Sequence, residues 1–446
     1  MPERKFPGMK NVPQIARALQ EVLGETAMRA GRESGFIQRE VKLNGATFVQ
    51  ALVFTWLANP AASYEELAQT AATLGVTITP QGLEQRFTRA AADCLKRVLE
   101  AALAQVFRSQ PTALPLLDRF TEVYVQDSSL IHLPESLKDL WAGCGGDAPS
   151  SAALKLQVRW ALRSGAFDGF FLTAGRANDP SSPTQKLPVL AGSLRLADLG
   201  FWSVPRLAEI GRSGAYWLSR LQAGTNVCWP HGERLDLPTY LAQQTSDELE
   251  LAVELGAAQR LPCRLLAQRV PPSVSAQRRR LLYQKANKKS FTPTALQLTM
   301  CDWTVIVTNV PATKLTLKEA LTLLHVRWQI ELLFKHWKSV GKVDESRSAK
   351  PERQLCELYA KLLGQVIQHW SLLCGKWDYP ARSFTKASRL VQKKSLHLAS
   401  TLKQFRSLCT LLRELGRAVS VGCKIDKRKG RPSTIQRLQQ VAEALA

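Results

Sequence analysis

Three charged side chains near residue 330 have a spacing that suits chemistry on phosphate groups. Arg327, Glu331 and Lys338 lie at offsets of zero, four and eleven residues. On a helix that turns by about 100° per residue they fall within roughly 40° of one another, so one stripe carries a cation, an anion and a cation. A carboxylate between two cations suits a metal ligand with phosphate-binding neighbours. Taken alone, the segment is also explained by a structural ion pair between Arg327 and Glu331.

Two aspartates supply further candidate metal ligands. Asp127 ends the segment 120–127 and Asp198 ends the segment 194–198, and both segments are predicted to be strands. The ends of strands are where α/β sheets place their sites, although each aspartate taken singly is better explained as a turn former. Together with Glu331 they make a set of three carboxylates that fits two Mg²⁺ ions. Such a pair stabilises the attacking and leaving oxygens of an in-line phosphoryl transfer.

The composition points to a polyanionic partner. The chain has 446 residues, too many for one compact core, and a formal net charge of +23. A surplus of that size indicates binding to nucleic acid or to an anionic membrane surface. The sequence has no apolar run of about 18 residues and no apolar signal region at its start, so no membrane partner is expected. We therefore expect a cytoplasmic, nucleoid-associated protein that binds nucleic acid.

Cysteine and histidine usage argues against a zinc site or a disulfide framework. The nine cysteines are scattered without any Cys-x-x-Cys pair, and the six histidines are equally dispersed. This distribution favours reduced thiols over metal ligands or disulfides. Any metal ion is therefore expected to be held by carboxylates.

The N-terminal quarter of the chain is predicted to be helical and contains a possible DNA-binding motif. Ser63 and Glu66 have the spacing of a capping box, and the helix that they begin is predicted to end at Gly75. Pro80 then begins a second helix that carries polar and basic side chains as far as Arg89. This pattern is typical of a helix-turn-helix, and equally of an ordinary helical hairpin.

From about residue 111 the hydrophobic pattern changes to that of a mixed α/β sheet. Several prolines, short alternating runs and a basic cluster after residue 221 indicate an inserted, mostly β segment. The basic helical tail contains the sequence Gly430-Arg431-Pro432 between cations. That sequence could lie in a narrow minor groove or form a solvated basic linker. The predicted strands are 120–127, 152–162, 167–174, 194–198, 215–221 and 303–309, and the predicted helices are 203–210, 316–339 and 352–375.

Over residues 45 to 375 the motifs resemble the DDE transposases of bacterial insertion sequences, specifically the insertion-sequence-four type. The family's signature is Tyr, two residues, Arg, three residues, Glu, six residues, Lys. Arg327, Glu331 and Lys338 stand at that spacing, and Leu324 stands at the Tyr position, where it cannot supply a hydroxyl. The family's first motif resembles the residues from Val125 to Pro134, and its second motif resembles the residues from Leu196 to Phe201.

The resemblance implies an RNase H-like mixed-sheet core that a mostly β insertion interrupts, flanked by helical N-terminal and C-terminal domains. It implies that Asp127, Asp198 and Glu331 are the catalytic triad and bind two Mg²⁺ ions, for which Mn²⁺ would substitute. The expected domains are a helical DNA-binding domain (1–110), the first part of the catalytic core (111–221), the insertion (222–299), the second part of the core (300–375) and a basic helical domain (376–446).

The resemblance also implies cut-and-paste transposition of double-stranded DNA. Water would nick one strand at each transposon end, and the freed 3′ hydroxyl would attack the opposite strand to make a hairpin and release the flanking DNA. The hairpin would then be reopened, and the 3′ ends would join target DNA. Cutting two inverted-repeat ends together implies a homodimer on the DNA.

Five residues are expected to contact this DNA. Trp303 would stack on a flipped base, or it is simply a buried strand tryptophan. Arg327 and Lys338 would contact phosphates near the scissile bond, and Arg220 and Lys335 would also bind the DNA.

Two other functions remain open from the sequence. An RNase H-like nuclease would cut DNA without joining strands, and transfer of a precut end into plasmid DNA separates it from a transposase. A non-catalytic DNA-binding protein would bind with a steep salt dependence and no metal requirement.

Overall fold

The computed structural model describes residues 10–39, 42–111, 113–144, 150–288, 290–426 and 432–443. The predicted basic sequence at residues 427–431 lies outside the described residues. None of the helices in the described part is both long enough and apolar enough to cross a membrane.

The helices of the described chain occur mainly at its two ends. A π-helical segment, Glu21–Thr26, joins the first two of them. They are α1 (Val12–Gln20), α2 (Ala27–Glu33), α3 (Gly45–Ala58), α4 (Tyr64–Thr73), α5 (Pro80–Glu84), α6 (Arg89–Leu103), α7 (Pro115–Asp118), α8 (Val204–Arg212), α9 (Leu237–Ala242), α10 (Pro272–Lys288), α11 (Ala295–Met300), α12 (Leu317–Val326), α13 (Trp328–Ser339), α14 (Pro351–Leu373), α15 (Phe384–Lys393), α16 (Ser395–Thr401), α17 (Phe405–Gly422) and α18 (Thr434–Glu443).

The strands occupy the middle of the chain and confirm the predicted change of period. They are β1 (Val123–Leu133), β2 (Ala152–Ala161), β3 (Phe167–Ala174), β4 (Leu194–Ala197), β5 (Tyr216–Arg220), β6 (Val227–Cys228), β7 (Glu248–Leu255), β8 (Leu261–Arg269) and β9 (Trp303–Thr308).

The chain divides into two compact units, each assembled from separated segments. The helical unit comprises the described parts of Met1–Ala113, Ser128–Asn178 and Ile330–Ile435. The sheet unit comprises the described parts of Leu114–Asp127, Asp179–Gln329 and Gln436–Ala446.

The sheet unit is built on a mixed sheet with the strand order β1-β4-β5-β9-β8-β7-β6. The pairs β1–β4 and β4–β5 are parallel, and the remaining pairs are antiparallel. Strand β9 pairs with β5 on one side and with β8 on the other. The strands of the expected insertion therefore extend the same sheet.

The prediction that residues 222–299 are mostly β is wrong, because this segment mixes strands with helices. It contains β6, β7 and β8 together with α9, α10 and α11. The largest departure is the 17-residue helix α10. Residues 277–288 consist of Gln, Arg, Leu, Lys, Ala, Tyr and Asn without a β-branched residue, a composition that favours a helix.

The prediction that a strand ends on Asp127 is also wrong. Strand β1 continues to Leu133, and its last residues still alternate, with Ile131 and Leu133 buried and His132 exposed. Pairing of β1 with β4 nevertheless stops at Gln126, which lies opposite Ala197. Asp127 therefore marks the end of the parallel ladder instead of the end of the strand.

One continuous helix over residues 316–339 was expected, and the structure has two. Helix α12 begins with a capping box in which Thr316 and Glu319 bond each other's backbone amides. It ends at Val326, and α13 begins at Trp328. Arg327 between them keeps helical dihedral angles, with φ −51° and ψ −35°. The interruption is thus a local one, at the residue that carries the first cation of the signature.

The helix pair near residue 80 follows its predicted start and differs at its end. The capping box of Ser63 and Glu66 is confirmed, and Gly75 has a φ of +86°, which favours glycine. The second helix, α5, has only five residues. The Thr88 hydroxyl accepts a hydrogen bond from the Ala91 amide and thereby begins α6, so the predicted extension of the second helix to Arg89 is wrong.

Helix α14 forms the centre of the helical unit. Nearly all of its 23 residues are buried, and it packs against α3 and α6. The N-terminal and C-terminal helices also contact each other directly, through α1 with α17 and through α3 with α16. The strands of this unit have the order β3-β2-β1, and the predicted hairpin of β2 and β3 is confirmed.

Glu319 is a buried carboxylate that fixes the start of α12. Arg119 lies 2.7 Å from it, and the Thr316 amide and hydroxyl donate hydrogen bonds of 2.8 and 3.0 Å. Burial alone would raise the pKa of Glu319, but the Arg119 and Thr316 hydrogen bonds outweigh it and the pKa lies below its ordinary value of 4.5. The charged form therefore stabilises the fold above pH 4.5, and this contribution is lost as the pH falls through the lower, folded pKa.

We expect Glu319→Gln to lower the free energy of unfolding at pH 7 by about 1–3 kcal/mol, because the Arg119 guanidinium and the Thr316 amide lose a charged partner. Urea unfolding at pH 7 and pH 3 measures the effect, and the difference from wild type should shrink at pH 3. Glu209→Gln, which removes an exposed ion pair with Arg206, is the control and should cost less than about 1 kcal/mol. An equal loss at both pH values would contradict the assigned role of the charge.

Candidate active site

The parallel pair β1–β4 brings two of the predicted acidic residues together. Gln126 lies opposite Ala197 in the last register position of this pair. The next residue along each strand is an aspartate, Asp127 on one side and Asp198 on the other. Because neighbouring parallel strands in register advance side by side, both carboxylates arise at the same edge of the sheet.

Arg327 lies between these two carboxylates. Its Nη1 is 3.6 Å from Oδ2 of Asp127 and 3.6 Å from Oδ1 of Asp198. The side chains of Arg327 and Asp127 are each 16% exposed, whereas that of Asp198 is 51% exposed. The guanidinium thus offsets the repulsion between two carboxylates at one sheet edge. Asp198 keeps an open side toward solvent, as a metal ligand requires.

A cavity of about 300 Å³ opens beside Asp198. Arg220, at the end of β5, is exposed there, and Leu324 forms an apolar part of the wall at the position where the signature has Tyr. The side chains that line the cavity include Asp198, Arg220, Leu324, His325, Arg327 and Trp328.

The electrostatics of the cavity favour an anion. The pKa of His325 is lowered from 6.5 by partial burial and by the positive charges of Arg437 and Arg220. The imidazole is therefore neutral at pH 7 and contributes no charge. The same cations that disfavour a protonated histidine would attract a phosphate group.

The two tryptophans near the signature lie in opposite environments. Trp303, at the start of β9, is only 2% exposed, and the Arg269 guanidinium lies 4.4 Å from its ring centroid. Trp328, which follows Arg327, is 53% exposed and lines the cavity. Sequence reasoning missed Trp328, because an aromatic residue within a helical stripe is more often buried. The break of the helix at Arg327 is the local feature that distinguishes this position.

The remaining predicted site residues belong to the helical unit. Glu331 lies in the first turn of α13 and is half-buried. Lys335 is exposed, and the Lys338 ammonium donates a hydrogen bond of 2.7 Å to the Leu130 carbonyl of β1. Within the described ranges, no group of three or more acidic, histidine or cysteine side chains is spaced to hold a metal ion.

The sequence also matches a known family over most of the sheet unit and part of the helical unit. The model of the family described as Transposase DDE domain matches residues 118–366, more than half of the chain. The chain belongs to the DDE transposases of insertion sequences. The members of this family act on DNA as polynucleotidyl transferases and generally use divalent metal ions.

Individual transposases resemble the chain over most of its length. It is 27% identical over 410 residues to the transposase for insertion sequence element IS231F of Bacillus thuringiensis subsp. israelensis, covering 87% of this chain and 83% of the relative. It is 26% identical over 370 residues to the transposase for insertion sequence element IS1151 of Clostridium perfringens, covering 76% of each. The family assignment confirms the resemblance that the spacing of the acidic and basic residues indicated.

Proposed function

We propose that this DDE transposase moves its insertion sequence by a cut-and-paste reaction that depends on two divalent metal ions. The observation that carries the proposal is the placement of Asp127 and Asp198 at one sheet edge, beside a cavity that Arg220 and Arg327 make positive. Two carboxylates supply hard oxygen ligands, and two cations beside them suit the phosphate that reacts.

Glu331 is proposed as the third carboxylate of the set. It follows Arg327 by four residues, the spacing of the family signature, and Arg327 already lies against both aspartates. On helix α13 it occupies the first turn, and its half-buried side chain is not excluded from solvent. Its role rests on this spacing and on the family.

The three carboxylates would hold two Mg²⁺ ions, and Mn²⁺ would substitute for them. The donor set fits, because Mg²⁺ prefers carboxylate oxygens and the neighbouring cations would neutralise phosphate instead of competing as ligands. When bound, the ions supply charge stabilisation for the attacking and leaving oxygens of an in-line displacement. The protein's own contribution is to hold the scissile phosphate against Arg327 and Arg220.

The sequence of reactions proposed is end cleavage, hairpin formation, hairpin opening and strand transfer into target DNA. Lys335 and Lys338 would contact the backbone of the same DNA, and two copies of the chain would act together on the two ends. Leu324 stands where the family has a tyrosine and supplies no hydroxyl, so the phosphate would be held by the cations alone.

RNase H-like nuclease activity without strand joining is the second candidate function, because the same carboxylates would serve it.

A plasmid that carries the DNA flanking the gene tests the proposal. Purified protein is incubated with it in Mg²⁺ or in EDTA, and the products are mapped at the element's ends. Excision with Mg²⁺ alone, followed by joining of a precut end into a second plasmid, is the expected result. Cleavage without joining would establish the nuclease. Salt-dependent binding without cleavage in either buffer would contradict both enzymatic functions.

Trp328 is proposed as the aromatic side chain that stacks on an unpaired base during hairpin formation, because it is exposed at the cavity. Stacking on an indole contributes about 1–3 kcal/mol per base. We therefore expect Trp328→Ala to slow hairpin formation about 10-fold to 100-fold and Trp328→Phe to slow it less. The measurement is hairpin yield on a nicked end, in which one strand has a free 3′ hydroxyl and the opposite strand is still joined to the flanking DNA.

Trp303→Phe is the matched control for this prediction. Because Trp303 is buried under Arg269, the change should lower thermal stability and leave hairpin yield near that of wild type. A normal hairpin yield in Trp328→Ala, with a large loss in Trp303→Phe, would reverse the assignment of the two tryptophans.

A further inference from the structure

Helix α10 of the sheet unit is exposed around most of its circumference. Only Ser275 and Ala286 of its 17 residues are buried. Leu281 is 58% exposed and Tyr283 is 47% exposed, so about half of each of these larger side chains is uncovered. A helix of this length is marginally stable without packing, which indicates that α10 is held by specific contacts or by a partner.

The side-chain hydrogen bonds that join α10 to the start of β9 are made by the first half of the helix. Arg278 donates hydrogen bonds of 2.7 Å to the Trp303 carbonyl and 2.8 Å to the Thr304 hydroxyl. Arg279 binds both carboxylate oxygens of Asp302 at 2.7 Å, and the Ser275 hydroxyl donates to the same carboxylate. These bonds fix the helix to the start of β9 and use two of its arginines.

The second half of α10 presents three further cations to solvent. Arg280, Lys285 and Lys288 are exposed, and within the described chain no salt bridge engages them. At 100° per residue all three lie within about 80° of the direction opposite the buried Ala286, so they share one face. The chain from residue 261 to residue 301 contains no aspartate or glutamate, so this face has no acidic neighbour in sequence.

The fixed end of α10 lies next to the cavity. Arg220, which lines the cavity, pairs with Ile306 of β9, and Arg278 is bonded to the same strand two residues away at Thr304. Burial and the positive charge of Arg220 both lower the pKa of Arg278, in agreement with this proximity. Arg220 and the fixed half of α10 therefore lie against the same strand, so one polyanion can contact both the cavity and the helix.

We propose that the face formed by Arg280, Lys285 and Lys288 binds the phosphate backbone of the duplex DNA adjoining the reacting phosphate. The proposal rests on the proposed transposase function. The three cations span about 12 Å along the helix axis, and phosphates of one strand rise about 3.4 Å each along a duplex, so the face spans a run of about four phosphates. Gln277, Gln284 and Asn287 on the same face add neutral hydrogen-bond donors. Backbone contacts of this kind position DNA without reading its sequence.

The test is the salt dependence of DNA binding by the full-length chain in EDTA. Arg280→Gln, Lys285→Gln and Lys288→Gln are combined in one variant, and binding is measured by fluorescence anisotropy. One duplex extends from the element's end inward, and a second extends from the same end outward. Each lost phosphate contact lowers the slope of log K against log salt by about 0.9. The variant should therefore show a slope smaller by up to about 2.7 on at least one duplex.

A neutral triple variant of the same face is the matched control. This variant, which combines Gln277→Ala, Gln284→Ala and Asn287→Ala, should keep the wild-type slope. A second variant keeps the positive charges by combining Arg280→Lys, Lys285→Arg and Lys288→Arg, and it should also have the wild-type slope. A reduced slope on one duplex alone supports the proposal and assigns the helix to that side of the cleavage site.

An unchanged slope on both duplexes would overturn the proposal, and so would an equal reduction in the neutral variant. Binding of another protein to α10, with unchanged DNA binding, would also overturn the proposal. Plasmid excision by wild type in the same preparation reports the transposase function separately. A failure of that function is therefore distinguishable from a failure of the α10 assignment.

Discussion

Replacing either Asp127 or Asp198 by asparagine is expected to reduce Mg²⁺-dependent cleavage of the element's ends by at least about 10³-fold. The amide keeps the shape of the side chain but removes the negative charge that a hard cation requires. Metal-ion stabilisation of developing charge is worth several kcal/mol, and about 4 kcal/mol corresponds to this factor. Gel separation of the cleaved ends over a range of Mg²⁺ concentrations measures the loss.

The same two variants should still fold and bind DNA. Each variant removes the charge of one of the two carboxylates that lie 3.6 Å from the Arg327 guanidinium. The remaining aspartate still pairs with that guanidinium. Less negative charge beside the cavity should leave DNA affinity in EDTA equal to that of wild type or greater.

Asp236→Asn is the control for the two aspartate variants, because Asp236 caps the short helix α9 in the same unit. Its cleavage activity should be normal. If Asp127→Asn and Asp198→Asn both cleaved at the wild-type rate, the two aspartates would not be metal ligands.

The sequence was sufficient to locate these aspartates because their position depends on local pattern. The alternation of apolar residues places β4, and the residue after the strand is Asp198. On β1 the same argument predicted that the strand ends at Asp127, and the strand runs on to Leu133. What ends at Asp127 is the pairing with β4, and pairing depends on a partner strand that is 60 or more residues away in the chain.

Features that depend on tertiary packing could not be predicted from the pattern. A helix over residues 316–339 satisfies the period, and nothing in that period marks the break at Arg327. Exposure of Trp328 and burial of Trp303 likewise depend on what the rest of the chain covers. Helix α10 was missed for a different reason: it has no apolar stripe, so the hydrophobic period gave no signal, and its contacts are made by arginines.

Glu331 is the site residue whose role most needs a functional test, because two explanations of its spacing make opposite predictions. As a metal ligand, it should be required for catalysis and contribute little to folding. As the partner of an i,i+4 ion pair with Arg327, it should contribute about 0.3–0.5 kcal/mol to stability and nothing to metal dependence. The test is therefore to measure cleavage and unfolding on the same variant.

We expect Glu331→Gln to lower Mg²⁺-dependent cleavage by at least about 10³-fold while its urea midpoint stays close to wild type, since several kcal/mol of charge stabilisation depend on the carboxylate. Glu331→Asp should retain weak activity that needs a higher Mg²⁺ concentration, because the shorter side chain still offers a carboxylate. Glu319→Gln should give the opposite pattern, a lower urea midpoint with an unchanged Mg²⁺ requirement. The reason is that the Glu319 carboxylate caps α12 and pairs with Arg119. A Glu331→Gln protein that cleaves normally and unfolds earlier would reduce this residue to an ion-pair partner.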